Sequence, residues 1–77
     1  MKIVAHLVDI ESNNSIESYW AIAPNAVMAI MTIKDMPNLS PRAKISHKTE
    51  INEQQARALG LDLTARPAYG RVADLSN

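Results

Sequence analysis

The chain has 77 residues, enough for one domain near the small end of what folds alone, and no cysteine. Disulfides, thiolate zinc sites, iron–sulfur clusters and cysteine nucleophiles are therefore all excluded. Eight Lys and Arg balance eight Asp and Glu, so the surplus positive charge that drives non-specific phosphate binding is missing. A domain this small buries only about 60% of the surface its unfolded chain exposes; without disulfides, a partner chain is the expected source of added stability.

Taken in chain order, Lys2 to Ile10 reads as a strand. Ile3, Ala5 and Leu7 point one way and Val4, His6, Val8 and Ile10 the other, which describes an interior strand covered on both faces. Ser12-Asn13-Asn14-Ser15 reads as a turn, because Asn tolerates left-handed backbone angles. Ile16 to Ala23, rich in β-branched and aromatic residues, supplies a second strand and completes a hairpin. Its neighbours Tyr19 and Trp20 must face opposite ways; Trp20 shares its side with Ile16 and Ile22, so Tyr19 is the member expected outside the main core.

Pro24 and Asn25 then interrupt the chain ahead of Ala26–Ile33, AVMAIMTI, whose one side-chain oxygen is the Thr32 hydroxyl. Either Asn25 caps a helix from Ala26 to about Met36, stopped by Pro37, or Pro24 sits in a tight turn before a strand. The methionines and alanines favour the helix. On it, Val27, Ile30, Met31 and Ile33 spread over more than half the circumference, and Met28 and Met36 extend the apolar area.

Pro37 to Pro41 reads as a loop. Arg42 to Thr49 alternates, with Ala43, Ile45 and His47 on one face and Lys44, Ser46 and Lys48 on the other. That is a half-exposed strand whose lysines suit a sheet edge. Asn52-Glu53-Gln54-Gln55 matches a capping box, and the helix it starts ends at Gly60, a left-handed terminator. Leu61 and Leu63 begin a strand or pack as a loop, Pro67 breaks the chain, and Ala68 to Leu75 supplies a last strand. The order β-β-α-β-α-β describes a single small α+β domain spanning 1–77: a two-layer sandwich of one mainly antiparallel sheet of about four strands, with two helices on one face.

Candidate chemistry is sparse. No HxH, HxxxH or HExxH spacing supports a metal site, which would require His6, His47 and a carboxylate such as Asp9 to converge. No nucleophile elbow or glycine-rich phosphate loop is present, since the glycines are Gly60 and Gly70. No catalytic residue, metal or cofactor is assigned, and His6 reads as a core-edge residue with hydrogen-bonded ring nitrogens. Gln55 to Leu61, with Ala56 four positions before Gly60, resembles the first helix and turn of a helix-turn-helix. Pro67 and Gly70 fall where a recognition helix would need to be continuous. Six of the eight basic residues lie from Leu39 onward. Arg42, Lys44, Lys48, Arg57 and Arg66 therefore define the alternative of a DNA-binding regulator.

The preferred reading is a non-catalytic protein-interaction module, a regulator, adaptor or inhibitor of a larger protein or assembly. It is expected to pair as a homodimer through Tyr19, Val27, Met28, Met31 and Met36, because an exposed apolar patch marks an interaction site and methionines suit adaptable contacts. The longest apolar run is six residues, too short to span a membrane. The start lacks the apolar core of a secretory signal, so a soluble cytoplasmic protein is expected.

Overall fold

The computed structural model describes residues 3–37, 39–64 and 67–74. Four strands form one antiparallel sheet: β1 (Val4–Ser12), β2 (Ser15–Ala23), β3 (Lys44–Ile51) and β4 (Tyr69–Arg71), in the spatial order β3-β1-β2-β4. Two helices complete it, α1 (Ala26–Lys34) after β2 and α2 (Glu53–Ala58) after β3, and a single 3-10 turn (Val72–Asp74) follows β4. The β-β-α-β-α-β order and the α+β class are as the sequence predicts. Lys2 and Leu75, expected to begin the first strand and end the last, lie outside the described residues.

The hairpin forms because Asn13 and Asn14 both take positive φ, 53° and 64°. That is the type I′ geometry whose twist matches two flanking strands, and Ser12 and Ser15 close it as the last pair of the β1–β2 register. Asn25 caps α1, its side-chain oxygen accepting from the Met28 N–H at 2.9 Å. The helix ends at Lys34 rather than Met36, with Asp35 as its C-cap; Met36 turns back, its N–H donating to the Ile33 carbonyl. Asn52 and Gln55 make the full capping box of α2. Gly60 ends that helix at φ 78°, with the Leu61 N–H reaching the Ala56 carbonyl at 2.8 Å, a Schellman closure whose Leu61 side chain is buried.

Cross-strand pairing sorts the sheet into two faces. Val4, His6, Val8 and Ile10 of β1 share one face with Tyr19, Ala21 and Ala23 of β2 and with Ile45 and His47 of β3. Ala29 and Ile33 of α1 pack there against Val8, Ile10, Ala21 and Ala23. Ala5, Leu7, Trp20, Ile22 and Ile51 share the other face, where Ala56 of α2 and Leu61 meet Ala5 and Ile51. The two helices therefore cover opposite faces of the sheet, not the same one. The reason is local: α2 starts two residues after Ile51, whose side chain already points away from α1.

That division also corrects the placing of Tyr19 and Trp20. Tyr19 borders the α1-side core, whereas Trp20 packs at the edge of the smaller α2-side cluster. The shared direction of Trp20 and Ile22 is as expected, but α1 covers the other face. Trp20 lies flat over Gly70, where an added Cβ would stand 2.5 Å from ring carbon Cζ2 and 2.7 Å from Cε2. Gly70→Ala is therefore expected to push the indole out and cost about 1–3 kcal/mol. A lower urea midpoint and a red-shifted tryptophan emission would register both effects.

Candidate protein-interaction surface

α1 buries one side and leaves the other in water. Ala29 and Ile33 are fully enclosed, while Val27 is 67%, Met31 51% and Met28 44% exposed. Val27 and Met31 stand one turn apart, as do Met28 and Met31, so the three form one continuous apolar stripe. Ile30, half-buried, borders it, and Lys34 and Asp35 mark its far end. The Thr32 hydroxyl does not interrupt the stripe with an unmet donor, because it bonds the Met28 carbonyl of its own helix at 2.9 Å.

The other two residues assigned to this surface lie elsewhere. Met36 has left the helix and packs, half-buried, against the α1-side core beside Leu39; Tyr19 packs on the same core from β2. The Tyr19 hydroxyl donates to Glu17 Oε2 at 3.2 Å. Both line a shallow cleft of about 320 Å³ between the end of α1 and the hairpin tip, with Ile10 and Leu39. Irregular chain after Lys34, which helical periodicity does not describe, is what turned Met36 inward.

Each sheet edge carries a feature that discourages pairing with another strand. On β3, Lys44 and Lys48 are exposed, and the register slips where Leu7 meets Thr49 and Val8 meets His47, leaving Lys48 as the extra residue of a bulge. On the far side β4 pairs over only three residues before its 3-10 turn.

The basic residues do not gather. Arg42 is in the loop before β3, Lys44 opens that strand, and α2 follows its other end about 23 Å away at a strand rise of about 3.3 Å per residue. Arg57 is paired with Glu53 at 2.9 Å, and Arg71 lies on the opposite sheet edge, 3.6 Å from Glu17. Arg66 lies outside the described residues. Nor, among the described residues, does a recognition helix follow Gly60: residues 61–64 are irregular and end in a turn, and 67–68 lead into β4. Asp62 explains the departure, because its Oδ1 accepts from the Thr64 hydroxyl at 2.7 Å and the Thr64 N–H at 2.8 Å, a local turn that competes with helix.

Those two bonds hold the Asp62 carboxyl below its ordinary value of 3.8, the hydroxyl bond contributing most. Because the folded value is depressed, the turn's contribution is present above the unfolded value and is lost as pH falls through the folded one. In an NMR pH titration Asp62 should protonate later than a free aspartate as acid is added. Thr64→Val should bring its midpoint back toward the ordinary value.

His6 is the core-edge residue with both ring nitrogens hydrogen-bonded that its place in the strand implies, but its partner was not foreseen. His6, 1% exposed, and half-buried His47 meet ring to ring, Nδ1 of His6 standing 3.0 Å from Nε2 of His47. Asp9, named from sequence only as a carboxylate that a metal site there would require, faces the opposite side of the sheet and accepts from the Ser18 hydroxyl at 2.9 Å. Pairing β1 with β3 on paper would have brought the two core-facing histidines together.

Among the described residues no helix is long and apolar enough to cross a membrane. Compared with known proteins, the chain matches no family model, no curated protein and no solved structure.

Proposed function

We propose that this protein is a small non-catalytic interaction module that pairs with a second copy of itself through the outer face of α1, and that acts as a regulator, adaptor or inhibitor by binding a larger protein. The observation that carries this reading is the stripe of Val27, Met28 and Met31, each more than two-fifths exposed on a helix whose opposite side is fully buried. Three further facts support it. The stripe is free of charge until Lys34. The Lys-bearing bulged edge and the three-residue β4 make strand addition unfavourable at both sides of the sheet. A helix face repeated about a two-fold axis is self-complementary, which is the geometry of the commonest soluble assembly.

Methionine at two of the three positions fits this role, because its unbranched, polarizable side chain adapts to an imperfectly matching surface. Apolar pairing strengthens in sulfate, whereas phosphate binding by lysines weakens with any salt. The test is a mixture of isotopically labelled and unlabelled chains, with intermolecular methyl contacts read by NMR. Contacts between the methyls of Met28, Met31 and Val27 of different molecules, growing with sulfate, are the expected result. Intermolecular contacts from other surfaces alone, or none at millimolar concentration, would refute it.

A further inference from the structure

The chain's two imidazoles meet nitrogen to nitrogen. The rings sit with centroids 5.1 Å apart and nitrogens 3.0 Å apart. His6 Nε2 lies 3.2 Å from the Ala23 carbonyl oxygen, which can only accept, so Nε2 carries the hydrogen and Nδ1 of the neutral ring keeps its lone pair toward His47. A backbone carbonyl fixing the far nitrogen is the outer-shell contact that orients a ligating histidine. Two nitrogens bound to one tetrahedral ion at about 2.0–2.1 Å stand about 3.3 Å apart. The observed pair needs to open by a few tenths of an ångström and each ring to turn until both lone pairs meet at one point, with His47 taking its hydrogen on Nδ1.

The bulge in β3 supplies a third donor. Ile51 pairs with Ala5, Glu50 with His6, Thr49 with Leu7 and, past the unpaired Lys48, His47 with Val8. Ile51 faces the α2 side with Ala5, so Glu50 shares the α1 side with His6. In a regular strand, residues 47 and 50 would point to opposite faces. The extra residue places both on the same one, flanking His6, and re-aiming a side chain beside a site is a recurrent use of bulges. Side chains directly opposite across an antiparallel pair start about 5 Å apart, within reach of a glutamate. As the side chains stand, Glu50 is turned to solvent, and among the described residues no three metal-type side chains gather around one point.

We propose that His6 Nδ1, His47 Nε2 and the Glu50 carboxylate bind one divalent transition-metal ion of the imidazole-preferring kind, Zn2+ being the type case, with water completing a four-coordinate shell. Glu50 swings inward on binding, and the ring–ring hydrogen bond is exchanged for two metal–nitrogen bonds. Two imidazoles with one carboxylate favour Zn2+, Ni2+ or Cu2+ over Mg2+ and Ca2+, which require oxygen ligands.

The experiment uses the full metal-stripped chain, titrated with Zn2+ by calorimetry and with Co2+ as a visible-absorption probe. One ion per chain is expected, together with a higher Tm in Zn2+ and cobalt bands characteristic of four-coordination. His47→Gln should abolish binding. Glu50→Gln should weaken Zn2+ by at least the roughly 10-fold that loss of even an outer-shell partner costs. Glu50 is exposed, so that variant decides the matter should His47→Gln fail to fold. Absence of saturable binding to the native chain, or native-like affinity in either variant, would overturn the site.

Discussion

Replacing Ile33 with alanine should remove about 2–5 kcal/mol of stability, the usual range for truncating a fully buried aliphatic side chain. Ile33 is 0% exposed and closes α1 onto Val8, Ile10, Ala21 and Ala23. At about 0.05–0.15 kcal/mol per residue, a chain of this length holds about 4–12 kcal/mol in all, so the loss is a large share of the total. Three of those four buried neighbours are valine or alanine, and the alanines cannot collapse inward to fill the space. Ile16→Ala is the contrasting variant, since Ile16 is 63% exposed at the sheet's end, and it should change stability by no more than about 0.5 kcal/mol. Urea denaturation of the two variants beside the native chain measures both. A Ile33→Ala chain as stable as Ile16→Ala would mean that α1 is not docked as described.

Met31→Glu should separate chains without unfolding them. Met31 lies on the outer stripe, half in water, and glutamate forms helix about as readily as methionine, so a single chain accommodates the change. In a two-fold pair the new carboxylate is buried against apolar side chains and faces its own copy. Like charges juxtaposed across an interface cost several kcal/mol, and each 1.4 kcal/mol is tenfold, so the dimer Kd should rise at least about 100-fold. Circular dichroism should be unchanged while sedimentation shifts to the single-chain species. Loss of helical signal, or unchanged association, would each place the contact elsewhere.

Much of this architecture was legible in the residues because local chemistry and burial agreed. Asn13-Asn14 can form the hairpin turn with no other help; Asn25, Asn52, Gln55 and Gly60 start and stop the two helices through their own hydrogen bonds and backbone angles. The stripe on α1 was legible for the same reason, since a nine-residue helix with apolar residues all round cannot bury every side on one sheet. What was not legible depended on pairing between distant segments. The apolar character of both faces of β1 already implied cover on both sides, yet helix order alone does not say which helix takes which face; the register of β3 does, through Ile51. The bulge at Lys48 was hidden by a pattern that alternates cleanly through Thr49, and with it the placing of His47 and Glu50 on the sheet face of His6. The helix-turn-helix resemblance failed where Asp62 and Thr64 satisfied each other locally.

In the proposed pair a second chain covers the outer stripe of α1, and the mass of the native protein in solution tests that most directly. Light scattering coupled to size exclusion, run from micromolar to millimolar concentration, should return twice the single-chain mass, persisting in added sulfate. A single-chain mass over that whole range would contradict it, leaving Val27, Met28 and Met31 in water with no second copy to cover them.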